Sequence, residues 1–80
     1  MNSDSLMTYL GEKMGLDTAS LTADTPLFSS NLLDSFSMVD LIMFIEKESG
    51  LRLHPTDVSL DNLDSIDRIL RFVDARRAEA

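Results

Sequence analysis

Eighty residues, a net charge of −7 and a 44% hydrophobic content describe one small, acidic, globular unit rather than a disordered chain. The absence of cysteine removes disulfides, thiolate metal sites and cysteine nucleophiles together, and fits a reducing, cytoplasmic setting. The acidic balance repels phosphates, which argues against nucleic acid or anionic membrane as partner and favours a basic protein surface.

The charge is uneven along the chain. Residues 1–64 hold 11 acids and 3 bases, whereas residues 65–80 hold 3 acids and 4 bases. The acidic field therefore belongs to the body, and the tail is mildly basic. The polar start "MNSDS" does not read as a signal peptide. The longest apolar run, "LIMFI" from Leu41 to Ile45, is far too short to span a membrane.

The first element predicted is a helix in "SDSLMTYLGEKMG", with Ser3 as N-cap and Asp4 in the first turn. Leu6, Met7, Leu10 and Met14 form one helical stripe, and Gly15 supplies a stop. Gly11 in the interior is at odds with a helix. Residues 16–34 then form a long polar connection around Pro26, too irregular for a helix. Leu16, Leu21, Leu27, Phe28, Leu32 and Leu33 punctuate it, and we expect them to pin the loop across a helical core.

A second helix is predicted over Ser35–Ser49, ended by Gly50, with Val39, Ile42 and Ile45 in the core and Leu41 and Met38 widening the stripe. Pro55 is set for the first turn of a short helix near Thr56–Leu60. A last helix follows, capped by Asp64 or Ser65. Ile66, Ile69, Leu70 and Val73 face inward, Phe72 lies near the edge, and Arg68, Arg71, Arg76 and Arg77 face outward. The expected fold is all-α: a small four-helix bundle of three main helices and a short third one, with a long first loop, forming a single domain over residues 1–80.

The catalytic inventory is thin. A hydrolytic triad on Ser35 would need a base, and the sole histidine, His54, lies in a loop 19 positions away. One histidine without cysteine makes a poor zinc site. Asp57, Asp61, Asp64 and Asp67 lack the alternate spacing and turn glycine of a helix–loop–helix calcium site. Ser35 stands out instead. It follows Asp34 at the head of the most apolar helix, where backbone N–H groups favour a phosphate. Phe36 comes next, and Asp34, Asp40, Glu46 and Glu48 give the helix an acidic surface.

The stretch "LFSSNLLDSFSMVDLIMFIE", Leu27–Glu46, resembles the acyl carrier and peptidyl carrier protein family, and the likeness in element order covers nearly the whole chain. The resemblance implies a non-catalytic carrier. Ser35 would bear 4′-phosphopantetheine, derived from coenzyme A, and its thiol would hold an acyl or aminoacyl cargo as a thioester. It further implies partner contacts at Asp34, Phe36, Met38, Asp40, Met43, Glu46 and Val58. Implied partners are a phosphopantetheinyl transferase, a loading enzyme, and a downstream acyltransferase, synthase or tailoring enzyme with a basic docking surface. The carrier would be monomeric and cytoplasmic.

Two departures bear on the pathway. Leu32 and Leu33 stand where many family members have glycines, with Asn31 as the residue able to take a left-handed turn. "LLDS" with "LHPTDVSLDNLDS" looks like free-standing carriers, such as the D-alanyl carrier protein and discrete carriers of specialised biosynthesis of polyketides or nonribosomal peptides. Lys47 also stands where fatty-acid carriers often have an acid. A housekeeping fatty-acid carrier is the alternative, and an unmodified acidic interaction bundle is the alternative from another class.

Overall fold

A computed structural model describes residues 1–79, with side chains through residue 78. It is all-helical among the described residues: α1 (Ser3–Lys13), α2 (Ser35–Ser49), α3 (Leu60–Leu63) and α4 (Ile66–Glu79), with single 3-10 turns at Thr18–Ser20 and Pro55–Asp57. The bundle measures 34 × 22 × 20 Å. Leu6 and Leu10 of α1, Leu41 and Ile45 of α2, Leu63 of α3, and Ile66, Ile69, Phe72 and Val73 of α4 bury into one core.

The cap of α1 sits one residue earlier than expected. Asn2 Oδ1 accepts from the Ser5 N–H at 2.8 Å, and Ser5 Oγ accepts from the Asn2 N–H at 3.1 Å. Asparagine caps as well as serine does, and this reciprocal pair satisfies two donors at once, which Ser3 could not do. Gly11 has a packing reason for its place in the helix. A Cβ there would meet Thr18 Cγ2 at 2.7 Å, so glycine lets the first 3-10 turn lie against α1.

The α2 bounds match the expectation, and Gly50 ends the helix in the left-handed conformation at φ 74°. Its face is rotated, however. Val39 is 56% exposed and Ile42 only half-buried, while Leu41 and Ile45 are fully buried. Val39 and Ile45 are six residues apart, which turns them about 120° from each other on a helix, so the two cannot share one core stripe. Leu41 and Ile45, at i and i+4, can.

The long loop is pinned, with one correction. Leu27 and Leu33 are buried, and Leu16, Leu21 and Phe28 pack partly against the core, but Leu32 is 45% exposed. The Leu33 N–H donates to the Leu27 carbonyl at 2.8 Å, which closes the loop and turns Leu33 inward. Leu32, between that bond and Asn31, faces out.

The second half differs in two places and settles a third. The single short helix expected near Thr56–Leu60 is instead a 3-10 turn led by Pro55, followed by α3 at Leu60–Leu63. Of the two caps expected for α4, Ser65 serves: its Oγ accepts from the Arg68 N–H at 3.1 Å. Arg76 is not on the outer face. Its guanidinium pairs with Asp57, reaches the Arg52 carbonyl at 3.1 Å, and lies 5.9 Å from the centre of the Phe72 ring. A long cation in the last turn of α4 can thus tie down the 52–57 segment while its stem covers apolar surface.

Candidate functional site

The site is built at the join of the long loop and α2. Asn31 takes φ 66°, the sole positive φ at a non-glycine among the described residues, and its N–H donates to the Phe28 carbonyl at 3.0 Å. That turn delivers the chain to Asp34 in an extended conformation. Asp34 Oδ1 accepts from the Ser37 N–H at 2.9 Å and starts α2. This bond, chiefly, holds the Asp34 carboxyl below its ordinary range.

Ser35 is therefore the first residue of α2, and it is exposed. Several other serines spend their hydroxyls within the fold. Ser29 Oγ donates to Asp64 Oδ2 at 2.7 Å, Ser30 Oγ to the Pro26 carbonyl, Ser49 Oγ to the Ile45 carbonyl at 2.5 Å, and Ser65 Oγ serves as the α4 cap. The Ser35 hydroxyl makes no hydrogen bond to any described residue. Asp34 does the capping, so the serine beside it is left available.

The loop that presents Ser35 is clasped from a distance. The N–H groups of Phe28 and Ser29 donate to Asp64 Oδ1 at 2.8 and 3.0 Å, and the Leu27 N–H donates to the Asp64 carbonyl at 2.6 Å. Burial pushes the Asp64 carboxyl up, but the donors on Ser29 and Phe28 and the Arg68 charge outweigh it and leave the group below its ordinary range. The sequence suggested Asp64 as one of two candidate caps and not as a clasp on the loop. A contact spanning 36 residues leaves no local pattern to read.

Around Ser35 the outer face of α2 is apolar. Phe36 is 83% exposed and Met43 62%, with Val39 between them. Asp40 is exposed on the same face. Met38 and Val58 are half-buried and pack against the core, so each presents only part of its side chain. Glu46 is half-buried too, and its Oε2 accepts from the Leu53 N–H at 2.9 Å, holding the segment after α2 in place. The structure thus brings Asp34, Phe36, Asp40 and Met43 to one surface with Ser35, and adds Val39, which periodicity had assigned to the core. His54 is exposed beyond the far end of α2.

Comparison with known proteins identifies the family. The family described as "Phosphopantetheine attachment site" matches residues 4–73. The chain is 31% identical over 68 residues to the probable acyl carrier protein PigG of a Serratia species, covering 85% of this chain and 72% of that protein. It is 27% identical over 69 residues to the acyl carrier protein of Thermotoga maritima, covering 86% and 83%. The chain belongs to the phosphopantetheine-attachment family of acyl carrier proteins, which are non-catalytic carriers with 4′-phosphopantetheine as prosthetic group.

Proposed function

We propose that Ser35 is the attachment residue, and that the chain is a discrete, monomeric, cytoplasmic carrier in a specialised biosynthetic pathway. The observation that carries the reading is the exposed, unengaged Ser35 hydroxyl at the start of α2, beside an Asp34 that performs the capping instead. The residues present fit the prosthetic group. In loading, the Ser35 oxygen forms the new bond to the phosphate of coenzyme A next to the pantetheine. The bond to the adenosine-side phosphate breaks, adenosine bisphosphate leaves, and the serine proton passes to the transferase. When bound, the arm supplies a thiol that holds an acyl or aminoacyl group as a thioester.

The protein's own contribution is placement and recognition. Asn31 and the Asp64 clasp fix the loop, and Asp34 fixes the helix start. The stripe of Phe36, Val39 and Met43, with Asp34 and Asp40 beside it, suits a partner that offers an apolar pocket rimmed by basic residues. Such partners are the loading transferase, an acyl- or aminoacyl-loading enzyme, and the enzyme that consumes the cargo. Leu32 and Leu33 before the Asp-Ser pair, and Lys47 on the partner face, support a pathway outside housekeeping fatty-acid synthesis. Among the described residues no helix is long and apolar enough to cross a membrane.

Incubating the apo-protein with coenzyme A and a broad-specificity phosphopantetheinyl transferase tests the assignment by intact mass. One arm is expected on the native chain and none on Ser35→Ala. An arm on the variant, or none on the native chain, sinks it. Mass spectrometry of the thioester carried by the protein from its host then reads the cargo.

A further inference from the structure

The outer face of α2 changes sign along its length. On a helix that advances about 100° per residue, Phe36, Val39, Asp40, Met43 and Lys47 fall in one sector about 100° wide. All five are exposed. Glu46 and Glu48 flank Lys47 in sequence, but each is turned about 100° from it, to opposite sides. Glu46 is also half-buried and accepts from the Leu53 N–H at 2.9 Å, so its carboxylate serves the segment after α2. Read away from Ser35, the charges on this face are therefore Asp34, Asp40 and then Lys47.

A second cation stands beside Lys47. The Tyr9 ring of α1 stacks on the Phe44 ring of α2, centroids 4.0 Å apart and 16° from parallel. Lys13 is four residues from Tyr9, and Lys47 is three from Phe44, so the stack sets the two lysines on the same side of the helix pair, lining one cleft. They are both of the lysines this acidic chain has. The ion pairs among the described residues belong to Arg68, Arg71 and Arg76, and neither lysine has one, although Asp40 and Glu48 line the same cleft. Each lysine is in the last turn of its own helix, where the helix dipole favours a cation. The dipole gives no reason for the two to share a cleft, where they repel each other.

The spacing lets a partner tell the two ends apart. Lys47 is twelve residues along α2 from Ser35, about 18 Å at the helical rise, and seven from Asp40, about 10 Å. The second separation exceeds the screening length of about 8 Å at physiological ionic strength, so the ends act as distinct charges. A partner seated on Phe36 and Met43 would need basic groups near Ser35 and an acidic group at the far end. A basic group at the far end would meet like charge.

We propose that Lys13 and Lys47 are a specificity-determining pair, which receives an acidic side chain of the partner enzyme and turns away enzymes whose docking surface is basic throughout. The proposal rests on the reading of Ser35 as attachment residue and of the α2 stripe as docking face.

The probe is a fatty-acid-type malonyl transferase with a basic docking surface, acting on the full-length holo-protein after mass spectrometry has confirmed the arm on Ser35. In the Lys13→Glu, Lys47→Glu variant, KM should fall about tenfold with kcat unchanged, and the difference should shrink as salt is raised. The Lys13→Gln, Lys47→Gln variant removes charge without adding acids and should give about a threefold fall. Both lysines are exposed, so both variants should fold. Among single Lys→Glu or Arg→Glu changes on the probe's docking surface, at least one should lower KM for the native chain and raise it for the double glutamate variant. Equal KM for the native chain and both variants, or a fall that persists at high salt, overturns the proposal and leaves the Ser35 assignment standing. Lack of the reciprocal effect across the probe's variants overturns the acidic partner group. Absence of any arm at Ser35 overturns both readings.

Discussion

Helices α2 and α4 are nearly equal in length, 15 and 14 residues, yet they treat their apolar side chains differently. In α4 the large apolar residues turn inward: Ile66, Ile69, Phe72 and Val73 are buried and Leu70 is partly so, while Asp67, Arg68, Arg71 and Asp74 look outward. In α2 the inner face is just as apolar, with Leu41 and Ile45 fully buried, but Phe36, Val39 and Met43 are left in solvent. An exposed stripe adds nothing to the stability of an isolated small domain and invites association. Its presence on α2 and absence from α4 separates a helix that only holds the fold together from one that, in the proposed function, also meets other molecules.

Substitutions can sharpen this contrast. On the inner faces, Ile45→Ala in α2 and Ile69→Ala in α4 should each cost about 2–5 kcal/mol in urea unfolding, because both leave a cavity in a shared core. A cost below about 1 kcal/mol at either position would mean that the core is looser than the burial implies. Asp64→Asn comes next. It removes the charge from an acceptor of three hydrogen bonds, with an expected loss of about 2 kcal/mol after solvent screening. Amide exchange should rise selectively at Phe28 and Ser29. Uniform acceleration across the chain would instead show that the clasp is inseparable from the core.

Acid should act through the same carboxyls. Asp34, Asp57 and Asp64 are all held below the ordinary value of 3.8; for Asp57 the His54 N–H leads, against burial and with Arg76 helping. A depressed folded-state value stabilises the protein above the unfolded value, and the contribution is lost as pH falls through the folded value. Stability should therefore be level near neutrality and decline below pH 3.8, less steeply in Asp64→Asn. The smallest stability change belongs to the outer face. Phe36→Ala should shift unfolding by less than about 0.5 kcal/mol, while kcat/KM for loading by the transferase falls about tenfold. The reverse pattern would place Phe36 with the core and erase the distinction between the helices.

Much of this was legible in the sequence wherever the signal was local. The bounds of α2 follow from Asp34 and Gly50 at its ends, and the left-handed turn follows from Asn31, whose short polar side chain tolerates it. The Asp-Ser pair itself marked the candidate site. What stayed hidden was set by partners distant in sequence. Val39 looked like core because apolar spacing does not say which of two apolar faces turns inward. Asp64 looked like a cap because its partners, Phe28 and Ser29, lie beyond any local window. The Arg76–Asp57 pair and the Tyr9–Phe44 stack escaped notice for the same reason. Glycine at position 11 was the one local hint that something packs against α1.

The Asp64 clasp also orders events in time. During synthesis the chain emerges from its N-terminus at about 5–20 residues per second, so the loop and α2 appear seconds before residue 64 does. Until then Phe28 and Ser29 lack the acceptor that fixes them, and closing so long a span carries a chain-entropy cost that only later contacts offset. The loop that presents Ser35 therefore lacks its Asp64 acceptor until the C-terminal half is in place, and an enzyme that reads the finished shape should favour chains that have completed that half.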